Sequence, residues 1–320
     1  ISGPFDKQID IQYVAIKENN ETKKSEHTGR SGSLPWIGKG EYKTKFMIPK
    51  DCSHAELLFD GAMSEPAVYV NGKEAGRWAY GYNAFHIDVT PYIVKGNKEN
   101  ELLVKLTNLE ESSRWYPGAG IYRPVKLITT GDVALDTWGT CVKTVNADST
   151  QASVCVNAQL RKGGPSSAAK ATMSILDDHH KILYSQTSVF DASGNATVTF
   201  NVPNPRLWSP ETPELYYVNT KVYQDNSLCD ETLTRFGIRT VAVSKEKGFQ
   251  LNGVTRKLKG VCLHHDLGPL GAAVNRAAII RQIKILKDMG CDAIRTSHNM
   301  PSTMQMDVCD SLGMMVMAES

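Results

Sequence analysis

A chain of 320 residues with 41% hydrophobic and 22% charged residues is long enough for two or three globular domains. Its composition excludes a disordered or fibrous protein, and a formal net charge of +2 gives no indication of nucleic acid or an anionic membrane as a partner. Apolar runs fall short of the roughly 18 residues that a membrane-spanning helix needs. We therefore expect a globular protein that binds neither nucleic acid nor membrane.

Residues 1–131 carry the patterns of an all-β domain. The segment 67–70 runs into Asn71 and Gly72, a pair that tolerates the positive φ angles of a two-residue hairpin turn. The segment 41–48 alternates polar and apolar residues with a period of two, as a half-buried strand does. Two further strands are predicted at 101–106 and 125–128. Many short strands separated by turn signals favour a sandwich or jelly roll.

Residues 132–243 form a second block of predicted strands. These strands lie at 152–160, 171–176, 181–190, 197–202 and 215–223. About seven short strands in roughly 110 residues fit an immunoglobulin-like sandwich, although the Cys…Trp…Cys spacing of true immunoglobulin domains is not present.

After residue 243 the pattern changes to alternating strands and helices. A small hairpin turns at Asn252 and Gly253, and strands follow at 259–263, 292–297 and 314–318. Helices are predicted at 276–289, with Asn275 as its N-cap, and at 302–311. Short apolar strands separated by helices predict a parallel sheet, here the start of a (β/α) barrel.

Each of these three strands ends on polar side chains. The first runs into His264, His265 and Asp266, the second into His298 and Asn299, and the third into Glu319. In a (β/α) barrel the active site lies at the carboxyl ends of the strands. A metal site, a substrate clamp and an ordinary loop all remain open for the first segment. The chain has no helical His-Glu-x-x-His or paired-Cys motif, so we favour binding of a polar substrate by neutral imidazoles.

Arg295 lies two positions before Ser297, so both should share one face of the strand, and His298 takes the other face unless the strand ends first. A guanidinium that points into a barrel needs a carboxylate partner. We therefore favour a role for Arg295 in orienting a glutamate over direct contact with substrate. Glu319 could be such a partner of Arg295 or a site residue in its own right.

One loop of the first domain combines aromatic residues with glycines. Exposed aromatic rings pack on the apolar faces of sugars, and Trp115 and Arg114 are the candidates for sugar contact. For Tyr122 and Arg123, packing of the loop against the next domain is at least as well supported.

The cysteines and the N-terminus say little about the compartment. The seven cysteines show no metal-type or redox-type spacing, and we interpret Cys262, Cys291 and Cys309 as small buried hydrophobic residues. Ile1 is preceded by neither an initiator Met nor a signal peptide, so a leader could have been removed or the chain could start inside a longer protein.

Taken together, the segments 260–266, 292–301, 113–124 and 207–216 resemble glycoside hydrolase family 2, most closely its β-galactosidase-like branch in bacteria. The most specific part is the Arg-x-Ser-His-Asn-x-Pro run that starts at Arg295. The resemblance implies a galactose-binding-like jelly roll at 1–131, an immunoglobulin-like sandwich at 132–243, and the first three strands of a (β/α)8 TIM barrel at 244–320.

The resemblance also implies the chemistry. Members of the family use two glutamates on a retaining path, and retaining pairs stand roughly 5–5.5 Å apart. These glutamates follow the fourth and seventh barrel strands, so the acid/base and the nucleophile are expected after Ser320. The chain itself then holds no catalytic residue, and the 320-residue piece alone is expected to be inactive.

Other strand-end residues receive roles from the same resemblance. His264, His298 and Asn299 are implied as sugar-binding residues. Arg295, Asp266 and Glu319 are implied as supporting residues, with Glu319 matching an acidic position after the third strand.

The expected activity is hydrolysis of terminal non-reducing β-D-galactosides, with β-glucuronidase, β-mannosidase or a non-catalytic carbohydrate-binding protein as alternatives. No protein metal site is expected in this chain. Magnesium or sodium stays open as a cofactor of the full-length enzyme, although Arg114 stands near where some relatives carry an acidic cation ligand, which argues against sodium. Homo-oligomerisation stays open, as does a periplasmic or cytoplasmic location in a bacterium.

Overall fold

The computed structural model describes residues 13–18, 21–26, 38–96, 98–108, 119–162 and 169–319. Near the N-terminus, β1 (Tyr13–Glu18) and β2 (Glu21–Glu26) pair as an antiparallel hairpin. Two sandwiches and the beginning of a barrel then follow, in the order that the sequence predicts. Within the described residues, no helix is long and apolar enough to cross a membrane.

Two antiparallel sheets face each other in the first unit. Its strands are β3 (Gly38–Met47), β4 (His54–Phe59), β5 (Ala67–Val70), β6 (Lys73–Arg77), β7 (Phe85–Asp88), β8 (Glu99–Asn108) and β9 (Val125–Thr130). The spatial orders are β3-β8-β5-β6 and β7-β4-β9. Phe59 and Phe85 are fully buried between the sheets, and their rings stack at 4.7 Å. A short 3₁₀ helix, Thr90–Tyr92, follows β7.

Strand β3 is more exposed than a half-buried strand should be. It lies at the edge of its sheet, where only one neighbour covers it, and its lysines reach across to β8. Lys43 pairs with Glu101 at 2.8 Å and Lys45 pairs with Glu99 at 2.6 Å. Charged side chains on an edge strand also discourage pairing with another chain.

The second unit is a sandwich of a three-stranded and a four-stranded sheet. Its strands are β10 (Leu135–Ala147), β11 (Gln151–Leu160), β12 (Lys170–Leu176), β13 (Ile182–Val189), β14 (Asn195–Pro203), β15 (Tyr216–Gln224) and β16 (Ser227–Phe236). They pair in the orders β10-β11-β14 and β13-β12-β15-β16. Val154, Met173, Phe200 and Val218 fill the space between the sheets. The predicted immunoglobulin-like architecture is confirmed.

A small three-stranded sheet leads into the last unit. It consists of β17 (Val241–Ser244), β18 (Gly248–Leu251) and β19 (Val254–Thr255). Asn252 and Gly253, with φ of 51° and 77°, make the predicted hairpin turn between β18 and β19.

The barrel portion is a parallel sheet covered by two helices. It comprises β20 (Gly260–Leu263), a 3₁₀ helix (Gly268–Leu270), α1 (Arg276–Asp288), β21 (Ala293–Thr296), α2 (Thr303–Leu312) and β22 (Met315–Ala318). Helix α1 buries Ile279, Ile283 and Leu286 against the sheet, the face that its periodicity predicts. The Asn275 side chain caps α1 and the Ser302 side chain caps α2, each accepting a backbone N–H at 3.1 Å.

The second sandwich is fastened to the barrel portion by polar contacts with α2. Trp208 Nε1 donates to the Asp310 carbonyl at 2.8 Å, and Arg235 donates to the Asp307 carbonyl at 2.7 Å. Gly313 ends α2 with φ of 73°, and a Cβ atom there would overlap the Pro210 carbonyl of the sandwich. These contacts fix the orientation of the strands that carry the site.

Candidate functional site

The parallel register of the last sheet brings three strand ends to one edge. Leu263 of β20 lies beside Thr296 of β21, which lies beside Ala318 of β22. The residues that follow these strands therefore leave the sheet at the same level. His264, His298 and Glu319 lie together there because parallel strands run in the same direction.

Two side chains hold Glu319: Arg295 within the neighbouring strand β21, and His298 just after that strand. Arg295 Nη2 forms an ion pair with Glu319 Oε1, and His298 Nδ1 lies 3.0 Å from Oε2. The Glu319 backbone N–H donates to Thr296 Oγ1 at 3.1 Å. Strand β21 ends at Thr296, so His298 can turn toward the carboxylate that Arg295 also contacts. The sequence left open whether His298 continues the strand and takes the opposite face from Arg295, or follows the end of the strand. The structure shows that the strand ends before His298.

The opposite charges of Arg295 and Glu319 stabilise each other. Desolvation pushes the pKa of Glu319 upward, but hydrogen bonds from His298 and Arg295 and the charge of Arg295 outweigh it, so the pKa lies below its usual value. Contacts with Cys262 and Glu319 raise the pKa of Arg295. The carboxylate is therefore ionised at neutral pH and pairs with a permanent cation.

The two imidazoles that follow β20 and β21 face each other. The rings of His264 and His298 meet edge to face, with centroids 5.5 Å apart, and both side chains are exposed. The contact of His298 with Glu319 uses Nδ1, and its second ring nitrogen, Nε2, lies on the other side of the ring. Two such rings can donate hydrogen bonds to hydroxyl groups and accept them.

The interpretation of Cys262 as a buried residue is wrong. Its neighbours Val261 and Leu263 pack against the helices, so alternation along β20 turns Cys262 to the opposite, exposed face with Arg295. Arg295 Nη1 lies 3.8 Å from its sulfur. The Ser297 hydroxyl and the Arg295 guanidinium lower the pKa of the thiol. Cys309 fits the interpretation, since it is buried and burial raises its thiol pKa to about 12.

Asp266 makes its described contacts within its own loop and with α1. Its carboxylate accepts from the Gly268 N–H at 3.4 Å, and its carbonyl accepts from Gln282 at 3.5 Å. The preceding residue, His265, has a φ of 38° and packs edge-on against Tyr82 of the first sandwich. The two histidines of the segment 264–266 therefore have different contacts. His264 faces His298, and His265 packs against Tyr82 of the first sandwich.

Asn299 is 6% exposed and contacts the first sandwich. The Tyr80 hydroxyl, 219 positions earlier in the chain, donates to Asn299 Oδ1 at 3.1 Å. Sequence reasoning missed Tyr80, because no local pattern links a loop of one domain to a strand end of another.

Three positions named by the sequence predictions are not among the described residues. Arg114 and Trp115, the predicted sugar contacts of the first domain, lie outside the described ranges. Ser320, after which the two catalytic glutamates are expected, also lies outside them, since the description ends at Glu319. The sugar contacts of that loop and the position of the glutamates therefore stay predictions.

Arg123 is a second residue that sequence reasoning did not place in the site. It is 4% exposed and donates to the carbonyls of Asp60 at 3.1 Å, Tyr82 at 2.7 Å and Met300 at 2.8 Å. The first two belong to the first sandwich and the third to the loop after β21. Arg123 therefore joins the first sandwich to the strand end that carries His298 and Asn299.

Among the described residues, no group of three or more His, Cys, Asp or Glu side chains is placed to hold a metal ion. At the strand ends the carboxylate of Glu319 is already engaged by a guanidinium and an imidazole.

Comparison with known proteins identifies the family. Residues 35–131 match the sugar binding domain of Glycosyl hydrolases family 2, residues 140–239 match Glycosyl hydrolases family 2, and residues 241–320 match its TIM barrel domain. The chain belongs to glycoside hydrolase family 2. Three consecutive domains of the family occur here in one chain, and the fold and the strand-end residues can be compared with those of family members.

Individual relatives support the same assignment. The chain is 40% identical over 98% of its length to Beta-galactosidase BoGH2A of Bacteroides ovatus, and 36% identical over 91% to a putative beta-glucuronidase of Formosa agariphila. A family 2 member from Bacteroides cellulosilyticus has a similar structure, with a TM-score of 0.85 and 36% identity over 91% of this chain. The chain spans only 37%, 28% and 38% of these three proteins, respectively.

Proposed function

We propose that the protein containing this chain is a glycosidase that hydrolyses terminal β-linked galactosides. The observation that carries the proposal is the polar edge formed by His264, His298 and the Arg295–Glu319 pair, in a chain of glycoside hydrolase family 2. A strand-end cluster of this kind offers hydrogen-bonding imidazole rings next to an ion-paired carboxylate. Sugar hydroxyl groups need both donors and acceptors, and such an edge supplies them.

In this proposal the chain supplies one wall of the sugar pocket. His264 and His298 hold hydroxyl groups of the terminal sugar, and Arg295 keeps Glu319 ionised and in place as the partner of His298. The acid/base and the nucleophile are glutamates after Ser320, and together they cleave the glycosidic bond by a double displacement with retention.

The choice of galactose rests on two supporting observations. The relative that is 40% identical is named a beta-galactosidase. In addition, a glucuronide carries a carboxylate that needs a cation, and Arg295 at this edge is already paired with Glu319. β-Glucuronide hydrolysis is the second candidate, because two other relatives of similar coverage are named a putative beta-glucuronidase and a beta-glucuronidase.

The test is a panel of 4-nitrophenyl β-glycosides with the full-length protein: galactoside, glucuronide, mannoside and fucoside. We expect kcat/KM to be highest for the galactoside. Preference for the glucuronide would replace galactose with the second candidate, and cleavage of none of the panel would favour a non-catalytic carbohydrate-binding protein. The 320-residue chain alone should show no turnover, since measurable activity would mean that the catalytic glutamates are wrongly placed.

A further inference from the structure

A loop of the first sandwich reaches the edge of the barrel sheet. The loop connects β6 to β7 and contains Tyr80, Gly81 and Tyr82. The Tyr80 hydroxyl donates to Asn299, directly after His298, while the Tyr82 ring packs edge-on against His265, directly after His264. The two tyrosine rings lie 5.5 Å apart. This single loop therefore contacts the ends of β20 and β21, next to both imidazoles proposed to hold the sugar.

The loop is held in this place by buried groups. The Tyr122 hydroxyl donates to the Gly81 carbonyl at 2.8 Å, and Arg123 donates to the Tyr82 carbonyl at 2.7 Å. Burial raises the pKa of Tyr122, so its phenol stays protonated and can donate. A Cβ atom at Gly81 would lie 2.5 Å from the Met63 sulfur, so a larger residue at this position would require the Met63 side chain to move. A loop fixed this firmly can present a side chain precisely.

The side chain that the loop presents is Tyr80. Its neighbours Tyr82 and Tyr122 are buried, whereas Tyr80 stays 42% exposed although its hydroxyl is bonded to the nearly buried Asn299. An aromatic ring with one end fixed and one side open suits stacking against the apolar face of a sugar ring. The small core of this region is formed by Met63, Tyr82 and Tyr122 and does not include Tyr80.

We propose that Tyr80 is a specificity-determining residue that forms a wall of the pocket for the terminal sugar. Its hydroxyl orients the Asn299 side chain, and its ring contacts the sugar held by His264 and His298. This inference rests on the proposed function, because it assigns a role within the same pocket.

The test uses Tyr80→Phe and Tyr80→Ala in the full-length protein. Loss of one hydrogen bond in Tyr80→Phe should lower kcat/KM for 4-nitrophenyl β-galactoside about two- to twelvefold. Loss of the ring as well in Tyr80→Ala should lower it about thirtyfold or more. Because the contact is with the terminal sugar, the factor should be the same for the 2-nitrophenyl galactoside. The inhibition constant of free galactose should rise in parallel.

Tyr69→Phe is the matched control. Tyr69 belongs to the same sandwich and donates its hydroxyl to Glu74 at 3.0 Å on an exposed surface, so this variant should keep wild-type kinetics. Thermal unfolding should show that Tyr80→Phe is folded, with only the small loss of stability expected for one hydrogen bond. This separates recognition from folding if Tyr80→Ala proves unstable.

The possible results are distinct. Wild-type kinetics in both Tyr80 variants would overturn the inference and leave the proposed function intact. A loss that changes with the leaving group, with unchanged inhibition by galactose, would place Tyr80 against the leaving group and overturn its contact with the terminal sugar. A wild-type protein that cleaves no glycoside would overturn the proposed function, and this inference with it.

Discussion

Replacing Arg123 should loosen the contact between the first sandwich and the barrel strand end that carries His298. The side chain is almost fully buried and donates to three backbone carbonyls, two in the sandwich and one at Met300. Arg123→Met keeps most of the volume of the side chain but removes all three donors. The variant therefore separates the hydrogen bonds from the packing.

The size of the effect follows from two opposing contributions. A hydrogen bond to a charged group contributes about 1.5–3 kcal/mol, so three contribute several kcal/mol, and the variant leaves three carbonyls without this donor. Burying a guanidinium also costs several kcal/mol, and that cost disappears with the charge. We expect a net loss of about 3 kcal/mol in the local free energy of opening. Arg123→Lys keeps the charge but has fewer donors. Its local free energy of opening should lie between those of the wild type and Arg123→Met.

Hydrogen exchange measured by mass spectrometry suits this prediction, because a protein of several domains need not unfold in two states. A loss of about 3 kcal/mol corresponds to roughly hundredfold faster exchange in peptides that cover 78–84 and 297–303. Arg161→Met is the control, since Arg161 also donates to three groups between domains, Thr130, Gly131 and Asp132, away from the site. Unchanged exchange of both segments in Arg123→Met would refute the role assigned to Arg123.

Three further predictions concern the site and its support. In the full-length protein His298→Ala should lower kcat/KM for the galactoside about hundredfold, because it removes a proposed sugar ligand. Burial raises the pKa of Asp310, although 45% of its side chain is exposed. The folded state therefore binds this proton slightly more tightly than the unfolded state, and a small amount of stability is lost as pH rises above about 4. Asp310→Asn should therefore raise the melting temperature at pH 7 but not at pH 3. Gly313→Ala should destabilise the protein in urea unfolding, because its Cβ would overlap the Pro210 carbonyl at a φ of 73°.

Each of these predictions has its own control or contrary result. His179→Ala on the exposed surface of the second sandwich should leave kcat/KM unchanged, and an unchanged kcat/KM in His298→Ala would remove His298 from the site. Equal stabilisation by Asp310→Asn at both pH values would show that burial of its charge is not the cause. Gly253→Ala has a similar φ with no atom within 4 Å of the new Cβ, so it should cost about 1–3 kcal/mol less than Gly313→Ala.

Local patterns predicted most elements of the fold. The Asn71-Gly72 and Asn252-Gly253 turns, the Asn275 cap of α1 and the buried face of α1 depend on neighbouring residues and appear as expected. Exposure was less predictable: β3 is an edge strand and Cys262 faces away from the helices, and both facts depend on which strands pair. Pairing joins residues far apart in the chain, so periodicity alone does not contain it.

For this protein, the sequence by itself determined the order of two sandwiches and a barrel sheet, and it placed His264, His298 and Glu319 at strand ends. Periodicity and turn chemistry act over a few residues, which is why they were sufficient for that. Only the tertiary structure decided that Arg295 and His298 meet on one carboxylate, and that Tyr80 and Arg123 connect the first sandwich to this edge. These contacts span up to 219 positions and exist because domain packing, not local preference, brings the segments together.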